Sequence, residues 1–262
     1  MIPRIATAVL LIPLVIALVL WAPAWLFLLG LLPVVLLALW EYLELAARTG
    51  ATPGRAPLYL VALAVLVVAT FAPGHLFGSV VAGTLVLFAA ALFRREKTAE
   101  VLWGSASSAF GLLWVALPFA LAALVRSEQG RWALLFLLIL VWVSDTAAYF
   151  GGRAFGRHKL AASISPGKTV EGTLASALAA LAVGYWLFTR WFPDSPAVHA
   201  FALPLVVNLA AQVGDLAESG VKRSAGVKDS SGLLPGHGGV LDRIDALLFA
   251  LPALWYYWKL LL

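Results

Sequence analysis

Long apolar runs, separated by short polar segments, are the feature that most limits what this chain can fold into. A membrane-spanning helix needs about 20 predominantly apolar residues, and charged residues make up only 12% of this chain. A soluble domain carries about 25% charged residues. The sequence therefore predicts an all-α, polytopic integral membrane protein. Its nine predicted spans cover approximately residues 5–21, 24–40, 57–73, 77–93, 108–125, 132–150, 170–192, 197–217 and 241–261.

The first apolar run follows Arg4 and resembles the start of a secretory leader. No small-residue cleavage site follows it, because Trp21, Pro23 and Trp25 come instead. We therefore expect this run to be retained as the first span. The chain contains no Cys, which excludes disulfides and thiolate metal sites.

The distribution of Lys and Arg predicts the orientation of the spans. If the N-terminus is cytoplasmic, fourteen of the 18 Lys and Arg residues fall on the cytoplasmic side, as the positive-inside rule requires. Two segments on that side, 151–169 and 218–240, are unusually rich in Gly, Ser, Lys and His. The polar chemistry of the chain is therefore expected at the cytoplasmic surface.

Six carboxylates are predicted to lie at the cytoplasmic ends of spans. Ionisable groups within spans are costly and usually mark a functional site. The alternative is that they cap helix N-termini, which accounts for Glu171 and Asp242 but poorly for Asp145 and Asp215, expected near helix C-termini. The six residues are Asp145, Glu171, Asp215, Glu218, Asp242 and Asp245.

Carboxylates without Cys favour a hard cation such as Mg²⁺, which takes one or two carboxylates together with waters and substrate phosphates. Asp215, Asp242 and Asp245 are the natural ligands if the last two spans are neighbours, which their short connection favours. Asp242 and Asp245 are three residues apart and share a helix face. A second metal is compatible with this arrangement but not required.

Basic residues and glycines lie beside these acids, as a polyphosphate substrate would need. Lys222, Arg223 and Lys228 supply positive charge, and the glycines of segment 236–239 allow close approach of a phosphate to the backbone. Alternatively, the bases bind anionic lipid headgroups and the glycines form only a turn.

The segment 165–172 repeats this chemistry with Ser165, Lys168 and Thr169 before a predicted span. Its Gly-Lys-Thr triplet is similar to the end of a phosphate-binding P-loop, but the first glycine of that motif would fall on Ala162. No apolar strand precedes it either, so we reject a P-loop and keep only an anion-binding role for these side chains.

The segment 219–245 resembles the pattern of the phosphatidate cytidylyltransferases, also called CDP-diacylglycerol synthases, without a departure over its 27 positions. The segment 144–172 is similar to a second region of that family. The residues that carry the first resemblance are Ser219, Val221, Lys222, Arg223, Lys228, Asp229, Ser231, Leu234, Pro235, His237, Gly238, Gly239, Val240, Asp242, Arg243, Ile244 and Asp245.

The resemblance implies a reaction of CTP with phosphatidate that gives CDP-diacylglycerol and diphosphate in the bacterial inner membrane, with the active site facing the cytoplasm. It also implies Mg²⁺, a monovalent cation such as K⁺, a homodimer and no nucleic acid partner. Asp215 and Asp242 match the family's metal-binding acids. The expected catalytic residues are Asp215, Lys222, Arg223, Lys228, His237, Asp242 and Asp245. The expected substrate-binding residues are Asp145, Ser165, Lys168, Asp229, Gly238, Gly239 and Arg243.

We expect one integral membrane domain over residues 1–262, with spans 1 to 5 in 1–130 and the catalytic spans 6 to 9 in 131–262. His237 is expected either to orient phosphate oxygens or to donate a proton. Competing hypotheses are a CTP-dependent lipid kinase, a transporter and a structural scaffold. A transporter is disfavoured because the acids lie at one membrane edge and the sequence has no inverted repeat.

Overall fold

The computed structural model describes residues 2–93, 98–233 and 238–262. Within these ranges the chain is almost entirely helical, which confirms the predicted all-α class. The helices are α1 (Ile2–Trp21), α2 (Ala24–Arg48), α3 (Arg55–Phe71), α4 (Leu76–Phe93), α5 (Thr98–Gly111), α6 (Leu117–Leu124), α7 (Arg131–Phe155), α8 (Val170–Trp191), α9 (His199–Ser224) and α10 (Leu241–Leu261).

Seven helical segments within the described ranges are long and apolar enough to cross a membrane. One of them, Glu100–Gln129, is continuous through α5 and α6 and contains π-helical turns at Leu112–Ala116 and Val125–Gln129. Two further apolar helices, Leu11–Trp21 and Arg55–Phe71, are shorter. The polytopic character is therefore confirmed, whereas the count of nine spans stays a prediction.

The chain divides into two compact units. Unit 1 comprises Met1–Glu128 and Val221–Ile244, and unit 2 comprises Gln129–Gly220 and Asp245–Leu262. Helices α9 and α10 each contribute residues to both units. The predicted single integral domain stays a prediction.

In unit 1, α2 packs against α3 and α6 through its apolar face. Tyr42 of α2 stacks near Phe110 and Trp114, and its hydroxyl donates to the Ser107 carbonyl at 2.6 Å. The buried phenol thus satisfies its polar atom while its ring fills the core. This packing fixes the end of α2 at which Glu41 lies.

In unit 2, α7 and α8 approach closely because glycines line their contact. A side chain at Gly151 would collide with Ala175, and one at Gly172 would come within 2.8 Å of the Ala148 carbonyl oxygen. Helix α7 therefore runs through the glycines to Phe155, five residues beyond the predicted end of its span. Small residues allow such close backbone approach between membrane helices.

A short antiparallel hairpin joins α7 to α8. Its strands are β1 (Lys159–Ala161) and β2 (Ser165–Thr169), with Lys159 opposite Thr169 and Ala161 opposite Ser165. The sequence analysis expected only a polar loop here. The hairpin places Ser165 and Lys168 on an ordered strand that leads directly into α8.

Helix α9 is also longer than its predicted span and ends at Ser224, so Lys222 and Arg223 lie on the helix and not in a loop. Asp145 and Asp215 consequently lie two to three turns before the ends of α7 and α9. The expectation that they lie near helix C-termini, and the dipole argument drawn from it, were wrong.

The predicted pairing of the last two spans is confirmed within unit 2. Gly214 of α9 lies so close to α10 that a Cβ there would be 2.6 Å from the Asp245 carbonyl oxygen and 3.3 Å from Phe249 Cβ. A glycine at this position lets the two helices approach with the Asp215 and Asp245 backbones side by side.

Replacing Gly214 with Ala is expected to destabilise the protein by about 1–3 kcal/mol, because the added methyl group forces backbone atoms apart. The matched control is Gly220→Ala on the same helix, where no atom lies within 4 Å of the added carbon; it should be neutral or stabilising by up to about 1 kcal/mol. Thermal unfolding in detergent measures both variants. Equal melting temperatures would contradict the close approach of α9 and α10.

Candidate active site

Asp242, the second residue of α10, is the centre of a polar cluster in unit 1. Its Oδ1 forms an ion pair with Lys222 Nζ at 2.5 Å, and the side chains are only 6% and 12% exposed. Its Oδ2 accepts hydrogen bonds from the Gly239 amide at 2.7 Å, the Ser230 amide at 3.0 Å and the Ser230 hydroxyl at 2.8 Å. We call Lys222, Ser230, Gly239 and Asp242 the Asp242 cluster.

Glycines 238 and 239 are required by this cluster. Gly238 has a φ of +77°, in the left-handed region that favours glycine. A Cβ at Gly239 would collide with the Ser230 hydroxyl and the Glu41 carboxylate. The sequence predicted close approach of a phosphate at these glycines, and the groups that approach here are carboxylates.

Glu41 of α2 is the residue that the sequence analysis missed. It is completely buried and accepts four hydrogen bonds from the segment before α10. Its Oε1 accepts from the Ser231 hydroxyl at 2.6 Å and the Val240 amide at 2.9 Å, and its Oε2 from the Ser230 hydroxyl at 3.0 Å and the Leu241 amide at 2.6 Å. The only available signal was a Glu directly after the predicted second span, since a buried charge must find partners.

A second cluster lies in unit 2 and contains most of the remaining acids. Lys168 Nζ forms an ion pair with Asp215 Oδ2 at 2.6 Å. Asp245 lies close enough to Asp215, Glu218 and Asp145 to interact with them electrostatically. Glu218 is fully buried, whereas Asp145 is exposed. We call these five residues the acidic cluster.

Two polar side chains at the start of α8, Thr169 and Glu171, bind the helix N-terminus and the turn that follows α7. Thr169 caps the helix by accepting a hydrogen bond from the Gly172 amide at 3.1 Å. Glu171 accepts from the Arg157 amide at 3.1 Å and contacts His158 Nδ1 at 2.6 Å. Glu171 therefore holds the turn after α7, a structural role that the capping alternative partly predicted. This turn lines a cavity of about 420 Å³.

The remaining predicted site residues have less defined surroundings. Arg223, Lys228, Asp229 and Arg243 are exposed at the surface of unit 1. His237 lies outside the described residues, as do the arginines and lysine of segment 94–97 that entered the orientation argument. Ser165, on β2, is half-buried.

The donor chemistry of both clusters suits a hard cation, because carboxylate oxygens are the ligands that Mg²⁺ prefers. Within residues 2–93, 98–233 and 238–262, no three acidic or histidine side chains converge closely enough to hold a metal alone. Asp242 has four donors on its two oxygens, so holding a metal through Oδ1 would require Lys222 to move. Asp215 and Asp242 belong to different units, and their joint metal-binding role stays a prediction.

Comparison with known proteins places this chain in a family. A family model described as the cytidylyltransferase family matches residues 2–261. The chain belongs to the cytidylyltransferase family. The match covers the apolar N-terminal half as well as both polar clusters, so α2 and its Glu41 fall within the family's region.

Curated relatives of this cytidylyltransferase-family chain carry a common name. Proteins named phosphatidate cytidylyltransferase from Haemophilus influenzae and Staphylococcus epidermidis are each 45% identical to it, over 50% and 49% of this chain and 46% and 49% of their own lengths. One from Brucella suis is 43% identical over 57% of this chain and 56% of its own. The chain thus spans about half the length of the curated relatives that it matches.

Replacing Gly239 with Ala is expected to open the segment before α10, because the methyl group displaces either Ser230 or Glu41. Hydrogen exchange measured by mass spectrometry should show faster exchange at Val240 and Leu241, by about tenfold or more for the loss of a single net hydrogen bond. Gly232→Ala is the matched control, since no atom lies within 4 Å of its added carbon. Unchanged exchange in the Gly239 variant would contradict the packing described here.

Proposed function

We propose that this protein is a membrane-embedded phosphatidate cytidylyltransferase, which converts CTP and phosphatidate to CDP-diacylglycerol and diphosphate. The observation that carries the proposal is that each polar cluster pairs an acid on a membrane-length helix with a lysine. The names of the relatives support the same reaction. The bilayer would supply the lipid substrate directly to the site.

The reaction requires charge neutralisation and alignment more than covalent catalysis. An oxygen of the phosphatidate phosphate attacks the α-phosphorus of CTP, the bond between the α-phosphorus and the α,β-bridging oxygen breaks, and diphosphate leaves with that oxygen. The lipid phosphate is already a nucleophile, so no enzyme nucleophile is needed. Catalysis then depends on positioning and on electrostatic stabilisation of the transferred group.

The ion pairs of the two clusters suit this chemistry. Lys168 pairs with Asp215, and Lys222 pairs with Asp242. In each pair an acid predicted to hold metal faces a lysine predicted to hold phosphate. A Mg²⁺-phosphate unit carries the complementary charges, so the acid can turn to the metal and the lysine to the phosphate without leaving either unpaired.

Mg²⁺, when bound, would neutralise the phosphate oxygens and polarise the α-phosphorus. Asp215 and Asp242 would hold it, with Asp145 and Asp245 supporting it at the acidic cluster. Arg223, Lys228 and Arg243 would neutralise the phosphates of CTP or phosphatidate, with Ser165, Asp229 and the glycines 238 and 239 contacting substrate. His237 would orient a phosphate oxygen or donate a proton.

The proposal includes the cell setting. Seven membrane-length helices within the described part of the chain, together with bacterial relatives, support a multi-pass bacterial membrane protein. The excess of Lys and Arg on one face supports placement in the inner membrane with the active site facing the cytoplasm. A bound K⁺ and a homodimer are further parts of the proposal. The proposal includes no nucleic acid partner.

Purified protein with labelled CTP, phosphatidate and Mg²⁺ is expected to form CDP-diacylglycerol. Asp215→Asn should lower kcat/KM by more than about 100-fold, since even outer partners of metal ligands are worth 10–100-fold. The variant should also need a higher Mg²⁺ concentration. The comparison variant is Lys168→Met, which breaks the same ion pair but should raise KM for a phosphate-bearing substrate at an unchanged Mg²⁺ requirement.

Two results would contradict these assignments. Wild-type activity and an unchanged Mg²⁺ requirement in Asp215→Asn would remove the metal role of Asp215. Absence of CDP-diacylglycerol from the wild-type protein, when an active relative gives product under the same conditions, would remove the proposed reaction.

A further inference from the structure

Glu41 is the most enclosed acid for which the structure describes a complete set of donors. It lies on α2, 189 residues before Ser230 in sequence, and is fully buried. Two of its donors are hydroxyls of the segment that carries the Asp242 cluster, and two are amides at the start of α10. All four contacts lie within unit 1.

The four donors determine what kind of role Glu41 can have. A carboxylate offers about four acceptor positions, and Glu41 uses two on each oxygen. Both oxygens are enclosed by protein donors and the side chain is fully buried, so neither oxygen is open to a metal or to the substrate. Glu41 is therefore suited to holding protein groups in place and not to touching the reactants.

The groups that Glu41 holds are the ones that place Asp242. The Ser230 hydroxyl lies between Glu41 Oε2 and Asp242 Oδ2, at 3.0 and 2.8 Å, so its single proton is shared between the two carboxylates. The amides of Val240 and Leu241 follow directly after Gly239, whose own amide binds Asp242. The two carboxylates thus divide the donors of one short segment between them, and moving one must disturb the other.

We infer that Glu41 is a positioning residue that holds Ser230, Ser231, Val240 and Leu241 in place and thereby sets the geometry of Asp242 and Lys222 for cytidylyl transfer. This inference rests on the proposed function. The cost of burying the charge in an apolar helix is offset by four hydrogen bonds, which also explains why the segment is held from a distant helix.

The test compares Glu41→Gln and Glu41→Asp with Glu44→Gln. Glutamine keeps the size of Glu41 but turns an amide donor toward groups that themselves donate, whereas aspartate keeps the charge on a shorter side chain. Glu44 lies on the same helix, is 40% exposed on its side chain and pairs with Arg55 at 2.8 Å. It makes no described contact with the Asp242 cluster, so Glu44→Gln should retain wild-type activity.

The kinetic constants distinguish positioning from simple support of the fold. Per folded monodisperse protein, Glu41→Gln should lower kcat at least tenfold and raise the Mg²⁺ concentration needed for activity, because Asp242 is a proposed metal ligand, and Glu41→Asp should recover part of both losses. A merely structural role would lower the melting temperature and leave kcat of the folded fraction unchanged. A kcat for Glu41→Gln within twofold of Glu44→Gln would overturn the inference.

Two further measurements keep the inference falsifiable. Ser231→Ala removes one donor to Glu41 without placing a new group in the core, and should lower kcat about threefold if the Glu41 variants do not fold. A wild-type kcat in that variant would then overturn the inference. Hydrogen exchange at Val240 and Leu241 should be at least tenfold faster in Glu41→Gln than in Glu44→Gln, and equal exchange would also overturn it. Hydrogen exchange does not depend on turnover. An inactive wild-type protein would therefore contradict the proposed function, whereas the exchange rates would still decide whether Glu41 holds Val240 and Leu241 in place.

Discussion

The structure depends on one constraint, which is that a carboxylate inside an apolar helical protein must be surrounded by donors. Leaving a charge buried without partners costs several kcal/mol. Glu41 and Asp242 meet this requirement by sharing the amides and hydroxyls of residues 230–241. The two carboxylates consequently hold Ser230 and the amides of residues 239–241. In the proposed site, donors held in this way would need little reorganisation during the reaction, which is the basis of electrostatic preorganisation.

The sequence predicted the parts of the fold that follow from local pattern. Apolar runs located the helices, and the short connection between the last two spans predicted the contact that Gly214 makes with α10. The association of acids with bases was also predictable, because Lys168 and Lys222 each pair with an acid named as a metal ligand. The sequence could not predict which acid pairs with which lysine, since ion pairing depends on which helix faces lie together.

The features that could not be predicted depend on distant contacts or on how helices end. Glu41 lies directly after the predicted second span, and its partners follow about 190 residues later. The predicted sixth span ended at residue 150, but α7 continues through Gly151 and Gly152, and Gly151 packs against Ala175. The amides of Gly239 and Val240 bind two carboxylates, one of them on the distant α2, whereas contact of glycines 238 and 239 with a substrate phosphate stays a prediction. In each case a tertiary contact that the local sequence does not show determines the observed structure.

The most direct test of the central claim is the destination of the label from CTP labelled at the α- or the γ-phosphate. Purified protein would be given phosphatidate and Mg²⁺, and the lipid and aqueous phases would then be counted separately. Cytidylyl transfer predicts that the α-label enters the lipid phase as CDP-diacylglycerol and that the γ-label stays in water as diphosphate. A γ-label in the lipid phase would indicate a lipid kinase, and no label in lipid from either CTP would exclude both reactions and contradict the account.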